Sequence, residues 1–166
     1  MFRHLTAAAV VAVLATAGRA DEKAFSDAEF VKKAGSSGVK EVMMGKLGTT
    51  MGQSDAVKKF SETIVADHTK ANTELMAAAK AAGLSVPDAP SPEDQKELDM
   101  MKGHKGADFD RHFAEHMVKG HEKSVALFTT ASKEARDPNL KAFATKTLPS
   151  LQQHLEMAKR LQVGDK

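Results

Sequence analysis

A chain of 166 residues, 42% hydrophobic and 28% charged, has the make-up of one globular domain. Eight Phe with no Trp and no Tyr leave Ala, Leu and Met to fill a core, which suits helices better than sheets. The absence of cysteine excludes disulfides, thiolate metal sites, thiol catalysis and lipoprotein processing.

Residues 1–20 have the pattern of a secretory signal peptide. Arg3 and His4 give a basic start, Leu5 to Ala17 is an apolar run, and Gly18-Arg19-Ala20 offers a cleavage site. The run is too short for the roughly 20 apolar residues of a spanning helix. Cleavage after Ala20 leaves residues 21–166 as the mature domain, exported and without a transmembrane span. Without Arg3 and Arg19 the 24 basic residues fall to 22, equal to the 22 acidic ones. A neutral chain offers no electrostatic case for nucleic acid or an anionic membrane as partner.

Periodicity then predicts four long helices. The first spans about Ser26 to Met51, opening on a capping-box pattern, Ser26 with Glu29. Its four glycines, Gly35, Gly38, Gly45 and Gly48, permit either close helix contact or a kink near Gly35–Gly38. Gly52-Gln53-Ser54 is a turn, and Ser54 or Asp55 caps the second helix, which stops at Gly83. A proline-rich connection follows, carrying a short helix from Glu93 to Lys102. The third long helix covers about Asp108 to Ala135. The fourth follows Asp137-Pro138, with a kink expected at Pro149 and a fraying tail from Val163 to Lys166. The simplest assembly is all-α: an antiparallel four-helix bundle with a short extra helix in the connection between helices two and three.

Polar residues interrupt the apolar stripes near the middle of each long helix. Val57, Phe60 and Ile64 continue to His68; Phe113 and Met117 continue to His121; His154 sits between Leu151 and Ala158; Glu41 lies between Gly38 and Gly45. The first hairpin folds back near residue 53, about 12 residues past Glu41 and about 15 before His68, a height offset of roughly 4–5 Å. The second folds back midway between His121 and His154, so those two are level. One carboxylate and three imidazoles suit a single transition-metal ion: zinc, iron, manganese or copper. The alternative is a buried hydrogen-bond network in which Glu41 pairs with protonated histidines.

Other groups carry less. His112 and His116, with Glu115 between them and Asp108 one turn before, make a surface zinc site or a solvated face. His104 lies in a glycine-flanked break. Asp110 is about 16 Å along the helix from His121 and supports the helix start instead. Nine methionines, including Met43-Met44, Met100-Met101 and Met117, are copper ligands or core filler. No nucleophile elbow, phosphate loop or dinucleotide fingerprint is present, so no residue is assigned to catalysis.

The stretches Glu41-Val42-x-x-Gly45-x-Leu47, Val57-Lys58-x-Phe60, Ile64-Val65-x-Asp67-His68, Phe109-Asp110, His121 and Leu148-Pro149-x-Leu151-x-x-His154-Leu155 together resemble the bacterial domain-of-unknown-function 4142 family. The resemblance spans about Phe25 to Leu161. It implies a ferritin-like bundle, usually exported and often described as a membrane or outer-membrane protein, and it supplies no reaction. The chain departs from the di-iron ferritin pattern of paired Glu-x-x-His motifs. Val65 and Leu151 stand where those glutamates belong, which disfavours iron storage.

Three functions follow from these residues. The first is an exported bundle holding one metal ion at Glu41, His68, His121 and His154. The second is a non-catalytic envelope stress or interaction module whose polar centre sets helix register. The third is a metal-dependent oxidase.

Overall fold

Ser26 opens the first helix by accepting a hydrogen bond from the Glu29 amide at 3.3 Å, which satisfies one orphan donor of a helix start. Helix α1 then runs Asp27–Met51. Ser54 does the same for α2, Asp55–Ala81, through the Val57 amide, and Ser91 for α3, Pro92–Met101, through the Asp94 amide. Helix α4 spans Gly106–Glu134 and α5 Pro138–Val163, the latter capped by Asp137, which accepts from the Asn139 and Leu140 amides. The computed structural model describes residues 25–163, in which five helices and no strand are found. The signal peptide read in residues 1–20 and the tail beyond residue 163 lie outside the described residues.

The helix boundaries depart from expectation by one or two residues. Helix α4 begins at Gly106 rather than Asp108, because a φ of 57° at this glycine turns the chain into the helix. Helix α2 ends as predicted at Gly83, whose φ is 70°. There the Leu84 amide reaches the Ala79 carbonyl at 2.8 Å and the Gly83 amide reaches Lys80 at 3.1 Å. This paired closure satisfies the last carbonyls of the helix. Helix α5 continues through Pro149, and α1 continues through Gly35–Gly38.

Two polar latches fix the helix directions. Asp110, in the first turns of α4, accepts from the backbone amides of Gln53 and Ser54, both at 2.8 Å. The turn between α1 and α2 is therefore held at the start of α4, and Asp110 serves that turn rather than its own helix. Asp27, at the start of α1, accepts from the amides of Arg136 and Asp137 at 3.1 and 2.9 Å, which holds the turn between α4 and α5. Helices α1 and α5 thus run one way, α2 and α4 the other. Helix α1 packs on α2 and α4, and α5 packs on α4 and α2. The 82–105 connection crosses the length of the molecule, and its α3 lies against α1 and α4. This arrangement is compatible with a four-helix bundle carrying one extra helix. No helix among the described residues is long and apolar enough to cross a membrane.

The apolar core is divided. One cluster, at the Asp27 end, gathers Phe30, Leu75, Phe128, Leu140 and Phe143. The other, at the Asp110 end, gathers Phe60, Ile64, Phe109, Phe113 and Met117. Between them each long helix contributes one buried titratable residue: Glu41, His68, His121 and His154.

The glycines of α1 allow the close contact that the sequence offered as one option. A Cβ on Gly48 would stand 2.0 Å from Ser61 Oγ and 2.7 Å from the ring of Phe113. Ser61 is fixed by its own bond to the Val57 carbonyl at 2.7 Å, and Phe113 is fully buried. Gly48→Ala should therefore destabilise the fold by about 1–3 kcal/mol, despite the better helix propensity of alanine. Urea unfolding measures this, and an unchanged or raised midpoint would contradict the close packing.

Candidate metal centre

The four polar intruders occupy the positions that their helical stripes dictate. His121 is fully enclosed, and Glu41, His68 and His154 are 3–6% exposed. The three imidazole centroids form an almost equilateral triangle, with sides of 5.5, 5.4 and 5.4 Å. One ring nitrogen from each histidine lies within 4.8 Å of the other two. Two nitrogens bound to one ion at about 2.0–2.1 Å each are at most about 4.2 Å apart, so little closure separates this triad from ligation.

Hydrogen bonding fixes which nitrogens are available. His121 Nδ1 donates to the Met117 carbonyl at 2.9 Å, one turn back on α4. His154 Nε2 donates to Asp67 Oδ2 at 2.9 Å, across the α2–α5 interface. The opposite nitrogens, His121 Nε2 and His154 Nδ1, therefore carry lone pairs. They and His68 Nε2 are buried and have no hydrogen-bond partner. Burial holds all three imidazoles below the ordinary histidine pKa, His68 well below it and His121 at about 4. For His68 the charges of the neighbouring imidazoles add to that depression. Three neutral, inward-facing donors, two of them with the outer N–H anchored on a carbonyl or a carboxylate, match the usual environment of metal-ligating histidines, and His68 alone lacks such an anchor.

Glu41 stands beside this group but outside the set of atoms mutually within 4.8 Å. Its Oε1 lies 2.8 Å from where a Cβ on Gly120 would sit, so the bare backbone of α4 makes room for the carboxylate. Burial raises its pKa to about 7, against the pull of the Lys40 and His154 charges. Next to it Lys40 pairs with Asp94 Oδ1 at 2.8 Å and Glu97 Oε2 at 3.0 Å, and Ser36 Oγ donates to Asp94 Oδ2 at 2.7 Å. These bonds tie α3 to α1. Asp94 remains ionised, its pKa held at about 2 by Lys40, Ser36 and Ser91 against a desolvation that favours the neutral acid.

The structure also sorts the remaining candidates. His104, Asp108 and His112 form a second cluster of metal-ligand type, but Arg111 occupies it, with Nη2 at 2.6 Å from Asp108 Oδ1 and 2.8 Å from His112 Nε2. His116 points instead toward Glu97, at 3.8 Å. Met44, Met101 and Met117 are core residues, whereas Met100 is exposed. Two contributors escaped sequence reasoning. Asp67 precedes His68 but serves His154 on another helix, a partnership that no spacing within α2 reveals. The Lys40–Asp94–Glu97 group depends on how α3 folds back, which the proline-rich connection leaves undetermined.

Over residues 12–161 the chain matches the family described as a domain of unknown function, DUF4142, and it belongs to that family. No curated protein and no solved structure matches it.

Acid should destabilise the metal-free protein. Each histidine has a folded pKa below its unfolded value near 6.5, so the unfolded chain binds more protons as pH falls. That stability is complete above the unfolded value and is lost toward the folded one, about 4 for His121. Glu41 acts oppositely, holding a proton in the folded state between its unfolded value of 4.5 and about 7. Three histidines outweigh one glutamate, so stability should fall between pH 6.5 and 4. It should fall more steeply in Glu41→Gln, which lacks the opposing group. Urea midpoints across this range test the sign; stability that is flat or rises on acidification would refute it.

Proposed function

We propose that this family member is an exported, ferritin-like four-helix bundle that holds one first-row transition-metal ion at its centre. The observation that carries the reading is the set of three buried, mutually facing ring nitrogens without partners: His68 Nε2, His121 Nε2 and His154 Nδ1. Burial keeps them neutral, the form in which imidazole ligates. A network of protonated histidines around Glu41 would need hydrogen bonds, and none links Glu41 to the triad among the described residues. Glu41, buried alongside, supplies the anionic fourth group. Zinc, iron, manganese and copper all suit three imidazoles and one carboxylate.

The two antiparallel hairpins joined by one long crossover support the ferritin-like assignment. Val65 and Leu151, in place of the glutamates of a di-iron pair, support one ion rather than two. The basic start, apolar run and small residues before Asp21 support export, with processing after Ala20. The role we assign to the site is binding: structural, sensory or buffering.

Elemental analysis of the untagged mature protein should find about one ion per chain. His68→Ala/His121→Ala should hold none, and Asp67→Asn should bind about 10- to 100-fold more weakly, because the outer partner of His154 is altered. Uptake should weaken as pH falls and the imidazoles protonate. A folded wild type that takes up no ion from any of the four metals would overturn the reading.

A further inference from the structure

A cleft of about 140 Å³ opens between α2 and α5 and reaches inward to His68 and His154. Leu75, Leu127, Phe128, Phe143 and Leu151 give it an apolar lining, with Asn72 and Ser124 among them. At its mouth Lys146 of α5 bonds both oxygens of Glu74 of α2, each at 2.9 Å. The four charged side chains that line the cleft, Asp67, Lys70, Glu74 and Lys146, sum to zero, so it selects no net charge. The metal reading makes no use of this space.

His68 is the triad member whose second nitrogen has no anchor. His121 uses the Met117 carbonyl and His154 uses Asp67, but His68 Nδ1 makes no hydrogen bond within the described protein. Unlike Nε2, it is not among the fully enclosed unpartnered atoms, which leaves it facing the cleft that His68 lines. With the Nε2 lone pair directed at the triad, the proton resides on Nδ1 and the group is a donor. An apolar cavity of about 150 Å³ accommodates a benzene ring.

We infer that this cleft binds a small, uncharged molecule with a ring-sized apolar body and one oxygen acceptor, which takes the hydrogen bond from His68 Nδ1. The bound molecule becomes the outer partner that His68 lacks and couples the cleft to the central site. The inference rests on the metal reading for the tautomer of His68, which an ion on Nε2 would fix.

The test titrates zinc-loaded full-length mature protein with phenol, and with benzene as the body without the acceptor. Phenol should bind saturably and about fivefold more tightly than benzene, the effect of one neutral hydrogen bond. It should also slow exchange of the His68 Nδ1 proton with solvent more than benzene does, because the proton is then held in a hydrogen bond. Ser150→Trp, at an exposed position on the cleft, should weaken phenol at least tenfold without unfolding the protein, and Ala71→Phe provides a second block from α2. No saturable binding, or binding indifferent to both blocks, would overturn the cleft assignment. Equal affinity for phenol and benzene would overturn the role of His68. If the protein takes up no zinc, the titration uses whichever of iron, manganese or copper it holds, and uptake of none of the four overturns the metal reading by itself. The same titration of metal-free protein then decides the cleft: saturable binding blocked by Ser150→Trp upholds it, and no binding overturns it.

Discussion

Three imidazoles buried in the middle of a helical core, with their inner nitrogens unpartnered, are the constraint on which the rest of this structure depends. An unpartnered buried polar atom costs about 1–3 kcal/mol. Three of them approach the whole net stability of a domain this size, about 5–15 kcal/mol. Ligation of one ion returns more than that: structural zinc contributes about 10–16 kcal/mol in small peptides. The arrangement is costly as a bare polar layer and favourable as a binding site. The division of the apolar core into two clusters, one on either side of this layer, follows from the same fact.

Holding the layer level requires that the two hairpins keep their register, and this is where the polar latches matter. Asp27 and Asp110 sit at opposite ends of the molecule, and each ties the turn of one hairpin to the first helix of the other. Each accepts two backbone amides that would otherwise be unpaired in a turn. Glycines in α1 bring its backbone close to α2, and Gly120 in α4 leaves room for the Glu41 carboxylate. The Lys40–Asp94–Glu97 group then fastens α3 across α1, on the Glu41 side of the centre. The opposite side opens through the cleft between α2 and α5. The centre is therefore closed on one face and bordered by the cleft on the other.

Most of this was legible in the sequence because helical periodicity is local. Stripes such as Val57–Phe60–Ile64 identified the inner face of each helix, and projecting them forward reached His68, His121 and His154. The equal spacing of His121 and His154 from their turn correctly placed them at one height. Helix ends were readable wherever a side chain or a glycine caps them, as at Ser26, Ser54 and Gly83; the Ser91 cap of α3 was not read. What escaped reading was non-local. The pairing of Asp67 with His154 crosses two helices, and the latches of Asp27 and Asp110 join residues far apart in the chain. Glu41 lies at the right level, yet its carboxylate turns toward Gly120, because side-chain direction is decided by the neighbouring helix rather than by its own stripe.

The most direct test of the account is anomalous diffraction from crystals of the metal-loaded protein, collected at the absorption edge of the bound ion. The account predicts one peak per chain at the centre of the bundle, about 2.0–2.2 Å from one nitrogen of each of His68, His121 and His154. A peak at His104, Asp108 and His112 instead, or no peak in a crystal grown with excess metal, would contradict it.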